Sequence, residues 1–496
     1  MIDQAQKRFQ AENPVERVGV WVLLVAQLTI FSRLHDYVPY LHLPALLLTM
    51  CLLISLATNG WLRALQSPIG KCLTILTIWF GVACIFSIWR GGSVALYTGT
   101  WLKSYAIFIV VSGLLIKISD VSMAVWMSAL GVSITGLSAL LFGKLQDGRN
   151  STNVGRFGDV NDLAQILIVG ICLSAAIYSR KETGFIRRGV IVVIALVMCV
   201  AMAKTGSRGG FIGVMVVVAV LFLQSSASGK LVTAVVCATI AFASVTLLPS
   251  TLLNRYLALL GNSAAEEDLS DGAIGSAQSR KHLLLRSLYV TRQNPLFGVG
   301  PGMFQEEEDT MAKDEGFLHG AWHETHNMYT QVSSEAGLPA LFCFLGMYIY
   351  GFRNLNAVCR AGRQSRDPAI LDAAALAFWM RLALVGLTTT GLFLSVAYSP
   401  EPLVLLGICV ALERAVRIRM EALSAAPMPI PVTPAIASRG KERLPRFTGW
   451  KPTRGRAPAT GHALDPTRSA SLPHARSSSA ARPVLDPRGA ASRRQP

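Results

Sequence analysis

GVIVVIALVMCVAMAKTGSRGGFIGVMVVVAVLFL, residues 189–223, decides the fold. Two uncharged apolar runs, 189–203 and 211–223, flank one short polar turn. A helix needs about 20 apolar residues to cross a hydrocarbon core about 30 Å thick, so each run with its flanks is a candidate membrane span. The same signal recurs outward along the chain. Before the pair lie runs at 18–31, 41–57, 72–89, 104–116, 121–142 and 163–178; after it lie 231–248, 328–350, 373–394 and 403–416. The predicted fold is therefore an all-α polytopic membrane bundle of about twelve transmembrane helices. Composition agrees: 52% of the 496 residues are hydrophobic and 15% charged, where soluble domains carry about 25% charged residues.

The connections alternate in charge. Lys7, Arg8 and Arg17 precede the first run, Arg63 and Lys71 follow the second, and Arg180, Lys181, Arg187 and Arg188 follow the sixth. Arg353, Arg360, Arg363 and Arg366 follow the tenth, and Arg414, Arg417 and Arg419 end the twelfth. With twelve spans all these cations fall on one side, which the positive-inside rule makes cytoplasmic, with both termini. The segment 249–327 between spans nine and ten is then a large loop on the opposite face, long enough to be a functional module. Within it, Arg280–Gln293 has apolar residues near helical spacing and is expected to be an amphipathic helix. NPLFGVGPGMF, Asn294–Phe304, is expected to turn after it. Residues 1–420 read as the membrane bundle.

Residues 421–496, rich in Pro, Ala, Ser and Arg, read as a disordered basic cytoplasmic tail. From Leu423 onward, 13 Lys/Arg against three acids contribute +10 of the net +17. The charge thus marks no nucleic-acid fold, and no nucleic-acid partner is expected. The nine cysteines have no metal-binding spacing and read as small buried hydrophobes. Residues 1–17 are polar and the first run lacks a small-residue cleavage site, so that run is expected to remain as a span.

Polar groups gather on the non-cytoplasmic face. In GSRGGFIG, Gly206–Gly213, the short turn holds Arg208 at the membrane surface, where a cation faces an anion or a cavity, or snorkels. In SRKHLLL, Ser279–Leu285, Arg280 and Leu284 form R-x-x-x-L; arginine suits bidentate phosphate binding. HGAWHETHNMYTQVSSEAGLPALF, His319–Phe342, carries His319, His323 and His326 before the tenth span. A zinc site is one reading of that trio. The other makes His326 a base toward a sugar hydroxyl, with Asn327, Tyr329 and Glu335 in the following helix. GRNSTNVGRFGDVNDLAQ, Gly148–Gln165, places Arg149 and Arg156 outside against the charge rule, which points to an anion partner. Asp159, Asn161 and Asp162 there form a turn and helix cap.

Taken together, GRFGDVNDLA, GSRGGFIG, SRKHLLL with NPLFGVGPGMF, and HNMYTQVSSEAGLPA resemble the O-antigen ligase and polysaccharide polymerase family, over roughly residues 70–400. The R-x-x-x-L of its ligases is matched by Arg280 and Leu284, and their H-x10-G by His326 and Gly337. The resemblance implies a metal-independent, inverting glycosyltransferase without a cofactor in the bacterial inner membrane, working on the periplasmic face. Its donor would be a glycan on undecaprenyl diphosphate; the resemblance leaves the acceptor open, and a second glycan or the lipid A core is expected. Arg208 and Arg280 would hold the diphosphate and His326 would deprotonate the acceptor. Arg156, Asn161, Asp162, Asn327, Tyr329 and Glu335 would contact substrate. The competing classes are a transporter or flippase of lipid-linked oligosaccharide, which favours mid-membrane charge such as Arg381 and internal repeats, and a protein O-oligosaccharyltransferase. No repeat relates the two halves, and the key charges lie at one face.

Overall fold

The computed structural model describes residues 14–146, 148–153, 155–181, 183–257, 271–314 and 323–425. Nearly everything described is helical: α1 Pro14–Ser32, α2 Leu43–Ala57, α3 Pro68–Ile85, α4 Arg90–Leu114, α5 Ile118–Phe142, α6 Val160–Tyr178, α7 Phe185–Lys204, α8 Arg208–Gln224, α9 Ala227–Leu247. After these come α10 Ser250–Leu257, α11 Asp271–Gln293, α12 Phe304–Asp314, α13 Met328–Gln364, α14 Pro368–Thr390 and α15 Pro400–Ala425. A small antiparallel hairpin, β1 Lys144–Gln146 and β2 Arg149–Ser151, joins α5 to α6. The chain is an all-α polytopic membrane protein.

Each of the twelve predicted runs overlaps one of these helices. Among the described residues, ten helices are long and apolar enough to cross a membrane. The other two runs fall in α8, which has only 17 residues, and in α15, which mixes its apolar face with Glu401, Glu413, Arg414, Arg417 and Arg419. Length and charge, the two requirements of a bilayer core, set these two apart.

Burial orders the bundle. α6 is 78% buried and central, whereas α9 is 0% buried and peripheral. Around α6 pack α5, α7, α8 and α14; α13 packs on α3, α11, α14 and α15. Small residues permit the close approaches, as in membrane helix pairs generally. A Cβ on Gly210 of α8 would meet Ala164 of α6 at 2.7 Å, and one on Gly213 would meet Thr390 of α14 at 2.5 Å.

The amphipathic helix predicted from Arg280 begins earlier, at Asp271, so Arg280 lies inside α11. Two glycines, Gly272 and Gly275, obscure the helical signal there. Leu283 and Val290 face a small core with Val299, Met303 and Phe304. The Gly/Pro turn then runs along α13 where that helix breaks at Gly337, φ 81°. A side chain at Gly337 would strike the Leu296 carbonyl at 2.0 Å. Val299 and Gly300 N–H donate to the carbonyls of Ser334 and Glu335, both at 2.9 Å. The break in α13 thus docks the turn by backbone pairing.

Candidate functional site

At one end of the bundle, formed by the N-termini of α6, α8 and α13, the α7–α8 turn has carbonyls that no helix can satisfy. Three side chains from two other segments, β2 and α10, take them. Arg149 Nε donates to Thr205 O (2.9 Å), Arg255 Nε to Gly206 O (3.4 Å), and Tyr256 Oη to Ala203 O (3.1 Å). Gly206 has φ 59°, the left-handed region open to glycine. Ser207 caps α8 by accepting from Gly210 N–H and donates its hydroxyl to Asn161 Oδ1 at 2.7 Å. The same Asn161 oxygen accepts from Arg149 Nη2 at 3.4 Å. Asn161 therefore fastens α6 to the turn that carries Arg208. Asp159 caps α6, accepting from Asn161 and Asp162 N–H at 2.7 and 3.2 Å.

Four guanidinium groups share this neighbourhood. Arg208 has Arg255 and Arg280 as electrostatic neighbours. Arg149 faces Arg255 and Arg280, with Asp159 opposing them. Burial, and then Arg255, brings Arg149 down to about 10. Burial also lowers Arg280; Asp159 opposes that shift and Arg255 adds to it. Four cations around one exposed carboxylate make a strongly positive, half-desolvated recess. Crowding of this kind is unfavourable until an anion enters.

His326 borders the recess. Its backbone is left-handed, φ 49°, an uncommon state for a non-glycine residue and one that clusters at functional sites. Its N–H donates to Ser395 Oγ at 2.9 Å, and Thr325 Oγ1 lies 3.2 Å from that hydroxyl. Burial pushes the imidazole below its ordinary value of 6.5; Arg280 and His323 add to this and Asp159 opposes it. The shift favours the neutral ring, the form that accepts a proton.

The other predicted residues occupy two settings. Arg156 is paired with Asp162 (3.1 Å) and Glu401 (3.6 Å) and bonds Ser399 Oγ, beside the cluster and separate from its coupling. Asn327, Tyr329 and Glu335 are bonded within the scaffold. Asn327 Oδ1 caps α13 by accepting from Tyr329 and Thr330 N–H. Tyr329 Oη donates to Thr388 O at 2.9 Å. Glu335 accepts from Gly302 N–H at 2.7 Å and Tyr398 Oη at 2.5 Å, locking the Gly/Pro turn against α13. His323 is exposed; His319 lies outside the described residues. Among the described residues no three His, Cys, Asp or Glu side chains are grouped to hold a metal.

Sequence reasoning left Arg255 without a role, and it reached the cap at Asp159 but neither that carboxylate's electrostatic part nor the turn-binding function of Arg149. One signal for Arg255 was available. It is a cation on the side the charge rule leaves poor in cations, the argument already applied to Arg149 and Arg156.

The family model described as O-antigen ligase matches residues 193–345. The chain carries the O-antigen ligase family segment. That segment runs from α7 into α13 and contains Arg208, Arg255, Arg280 and His326; Arg149, Asp159 and Asn161 precede it. No curated protein matches the chain. The O-antigen ligase placement gives a function of the ligase or polymerase type, that of an enzyme transferring glycans between a lipid-linked donor and a glycan acceptor.

Proposed function

We propose that this chain is a metal-independent, inverting glycosyltransferase of the bacterial inner membrane. It would move a glycan from undecaprenyl diphosphate to an acceptor hydroxyl on the periplasmic face, in O-antigen or exopolysaccharide assembly. The acceptor would be another glycan or the lipid A core. The observation that carries the reading is the joint presence of Arg149, Arg208, Arg255 and Arg280 beside His326, whose burial favours the neutral imidazole.

The chemistry follows from charge. The donor bond breaks between the sugar C1 and the diphosphate oxygen, and its electron pair goes to the diphosphate. The guanidinium groups neutralise that growing charge, the task a divalent cation performs elsewhere. His326 takes the acceptor proton while the acceptor oxygen attacks C1 from the face opposite the leaving group, which inverts the anomeric centre. Arg156, Asn161 and Asp162 hold the site's frame from α6; Asn327, Tyr329 and Glu335 hold it from α13. Residues 421–496 play no part in the reaction.

Turnover of a lipid-linked donor by the purified full chain, with chelator present, tests the reading. Product of inverted anomeric configuration is expected. Movement of the donor across a vesicle membrane without turnover would replace the enzyme by a flippase. Inhibition by chelator, rescued by zinc, would revive the histidine metal site. A reporter fused after Ser270 should signal only as a periplasmic one; a cytoplasmic signal would remove the assigned face.

A further inference from the structure

A second feature lies between α1, α2 and α4, outside the arginine cluster. It is a cavity of about 370 Å³, with walls that include Leu23, Leu48, Ile107 and Val110. Four polar side chains of these spans line it, Gln27, Thr100, Lys103 and Ser104, and the first and third stand out. Gln27 is fully buried, and neither its amide nitrogen nor its amide oxygen has a partner. An unpaired amide in an apolar interior costs several kcal/mol, so such a group calls for a ligand or water. Lys103 is an ionisable residue within a membrane span, a position that marks functional sites. It stands two residues after the one π-helical turn among the described residues, Tyr97–Trp101. Turns of that kind recur at functional sites. Around Gly99, in that turn, a Cβ would meet nothing within 4 Å.

The mouth is also unusual. Arg33 and His42 line it and adopt φ 54° and 43°, two of the four described non-glycine residues with positive φ. Asp36, the carboxylate of the lining, is engaged by Arg33 at 2.7 Å and His35 at 3.2 Å. The Lys103 charge is therefore left for an anion. α2, which walls the cavity, has only 11% of its apolar window buried, so bilayer lipid lies one helix away.

We propose that this cavity binds an anionic glycerophospholipid with a hydroxylated headgroup, of the phosphatidylglycerol kind. The phosphate pairs with the Lys103 ammonium. The Gln27 amide nitrogen donates to a headgroup oxygen, while its carbonyl accepts from a headgroup hydroxyl. One acyl chain lies along Leu23, Leu48, Ile107 and Val110. The donor-plus-acceptor demand of Gln27 favours this headgroup over a choline head, which has no hydrogen-bond donor. This binding is independent of glycan transfer.

Native mass spectrometry of the full chain released from nanodiscs of equal phosphatidylglycerol and phosphatidylcholine tests it. Phosphatidylglycerol should be retained selectively. Lys103→Met and Gln27→Leu should each lower that retention about tenfold or more, as loss of a charged or buried hydrogen bond does. Leu48→Trp, which fills the cavity without touching either polar group, should abolish it. Arg280→Ala should leave it unchanged even where glycan transfer is lost. Thermal unfolding checks that each variant is folded, and added phosphatidylglycerol should raise the melting temperature of the parent chain and not of the Leu48→Trp variant. Equal retention of both lipids, or retention unaffected by all three cavity variants, would overturn the proposal. So would displacement by inorganic phosphate, which would mean a bare anion site, or by polyprenyl phosphate at equal concentration, which would give the cavity to the lipid carrier.

Discussion

The arginines at the two ends of the bundle have the same chemistry and differ in the carboxylates that answer them. Away from the candidate site, Arg63, Arg414 and Arg419 are tied into the fold. Arg63 donates to the carbonyls of Gly113 and Thr58 and pairs with Glu16 at 2.5 Å. Arg414 donates to Ser112 O and Leu115 O, at 2.6 and 2.8 Å. Arg419 pairs with Asp367 at 2.8 Å. At the site end Arg149 and Arg255 are also bonded, to carbonyls of the α7–α8 turn. But Arg149, Arg208 and Arg280 each have Arg255 as an electrostatic neighbour, and a single carboxylate, Asp159, answers two of them. A cation that completes a helix end or an ion pair has its partner in the chain. Four cations against one carboxylate leave an excess of positive charge that suits an anion. The difference separates fold from function more sharply than net charge does.

The largest effects should fall on the base and the cations nearest it. His326→Ala should lower the transfer rate ~10²–10⁴-fold, as removal of a general base does. Arg280→Ala and Arg208→Ala should each cost about 10²–10³-fold, as does loss of one preorganised donor to developing charge. Arg→Lys should restore little at either position, because the ammonium lacks the planar fork. Initial rates with lipid-linked donor, on variants of unchanged melting temperature, measure this. Should Arg63→Ala abolish transfer while Arg280→Ala retains it, the contrast between the two ends is reversed.

A smaller effect is expected from Arg255, whose Nε reaches only a carbonyl at 3.4 Å and whose charge adds to the recess. Arg255→Gln should raise KM for the donor about tenfold with kcat nearly kept, the signature of lost uniform binding. A fall in kcat equal to that of Arg280→Ala would move Arg255 into the group that acts on the transition state.

The pH profile sharpens the comparison further. With His326 held below 6.5 by burial and by Arg280, the acid limb of kcat/KM, which reports free enzyme, should lie below pH 6.5. Activity is lost as pH falls and the imidazole gains its proton. In kcat, which reports the bound complex, the donor diphosphate offsets the arginine charge, so the limb should move to higher pH. Arg280→Gln should move the kcat/KM limb upward as well. A limb insensitive to that substitution would remove His326 from the neighbourhood of the cluster.

Much of this was legible in the sequence because the bilayer imposes a strong pattern: long uncharged runs and cations on one side. The runs in α8 and α15 show the limit, since short length in one and interspersed charge in the other blur a signal that packing alone resolves. At the site, Arg208 and Arg280 stand out in compact motifs, and His326 by its place before a span. Arg255 stands in no motif; it enters the cluster through the tertiary placement of α10 against the α7–α8 turn. The cap at Asp159 was legible as a turn, but not its electrostatic role toward Arg149 and Arg280, segments far apart in the chain. Asn327 and Glu335 show the reverse: polar residues beside a candidate base whose bonds prove to be internal, to the start of α13 and to the Gly302 turn.

The smallest effect belongs to the opposite end. Arg419 is half exposed, and its pair with Asp367 sits where water screens it. Such pairs contribute about 0–1 kcal/mol. Asp367 does more than pair, since its Oδ1 caps α14 by accepting from Ala369 and Ile370 N–H at 3.0 and 3.2 Å. Arg419→Ala should therefore leave transfer unchanged and barely move the melting temperature, while Asp367→Ala should cost a further ~1 kcal/mol from the lost cap. The Arg419 hydrogen bond holds the Asp367 carboxyl below its ordinary value of 3.8. A depressed carboxyl contributes stability that is present above the unfolded value and lost as pH falls through the folded one. The difference between parent and Arg419→Ala should accordingly be seen at neutral pH and vanish in acid. Should Arg419→Ala instead lower transfer as Arg280→Ala does, the two ends would not differ in kind, and the arginine cluster would lose its claim to be the anion site.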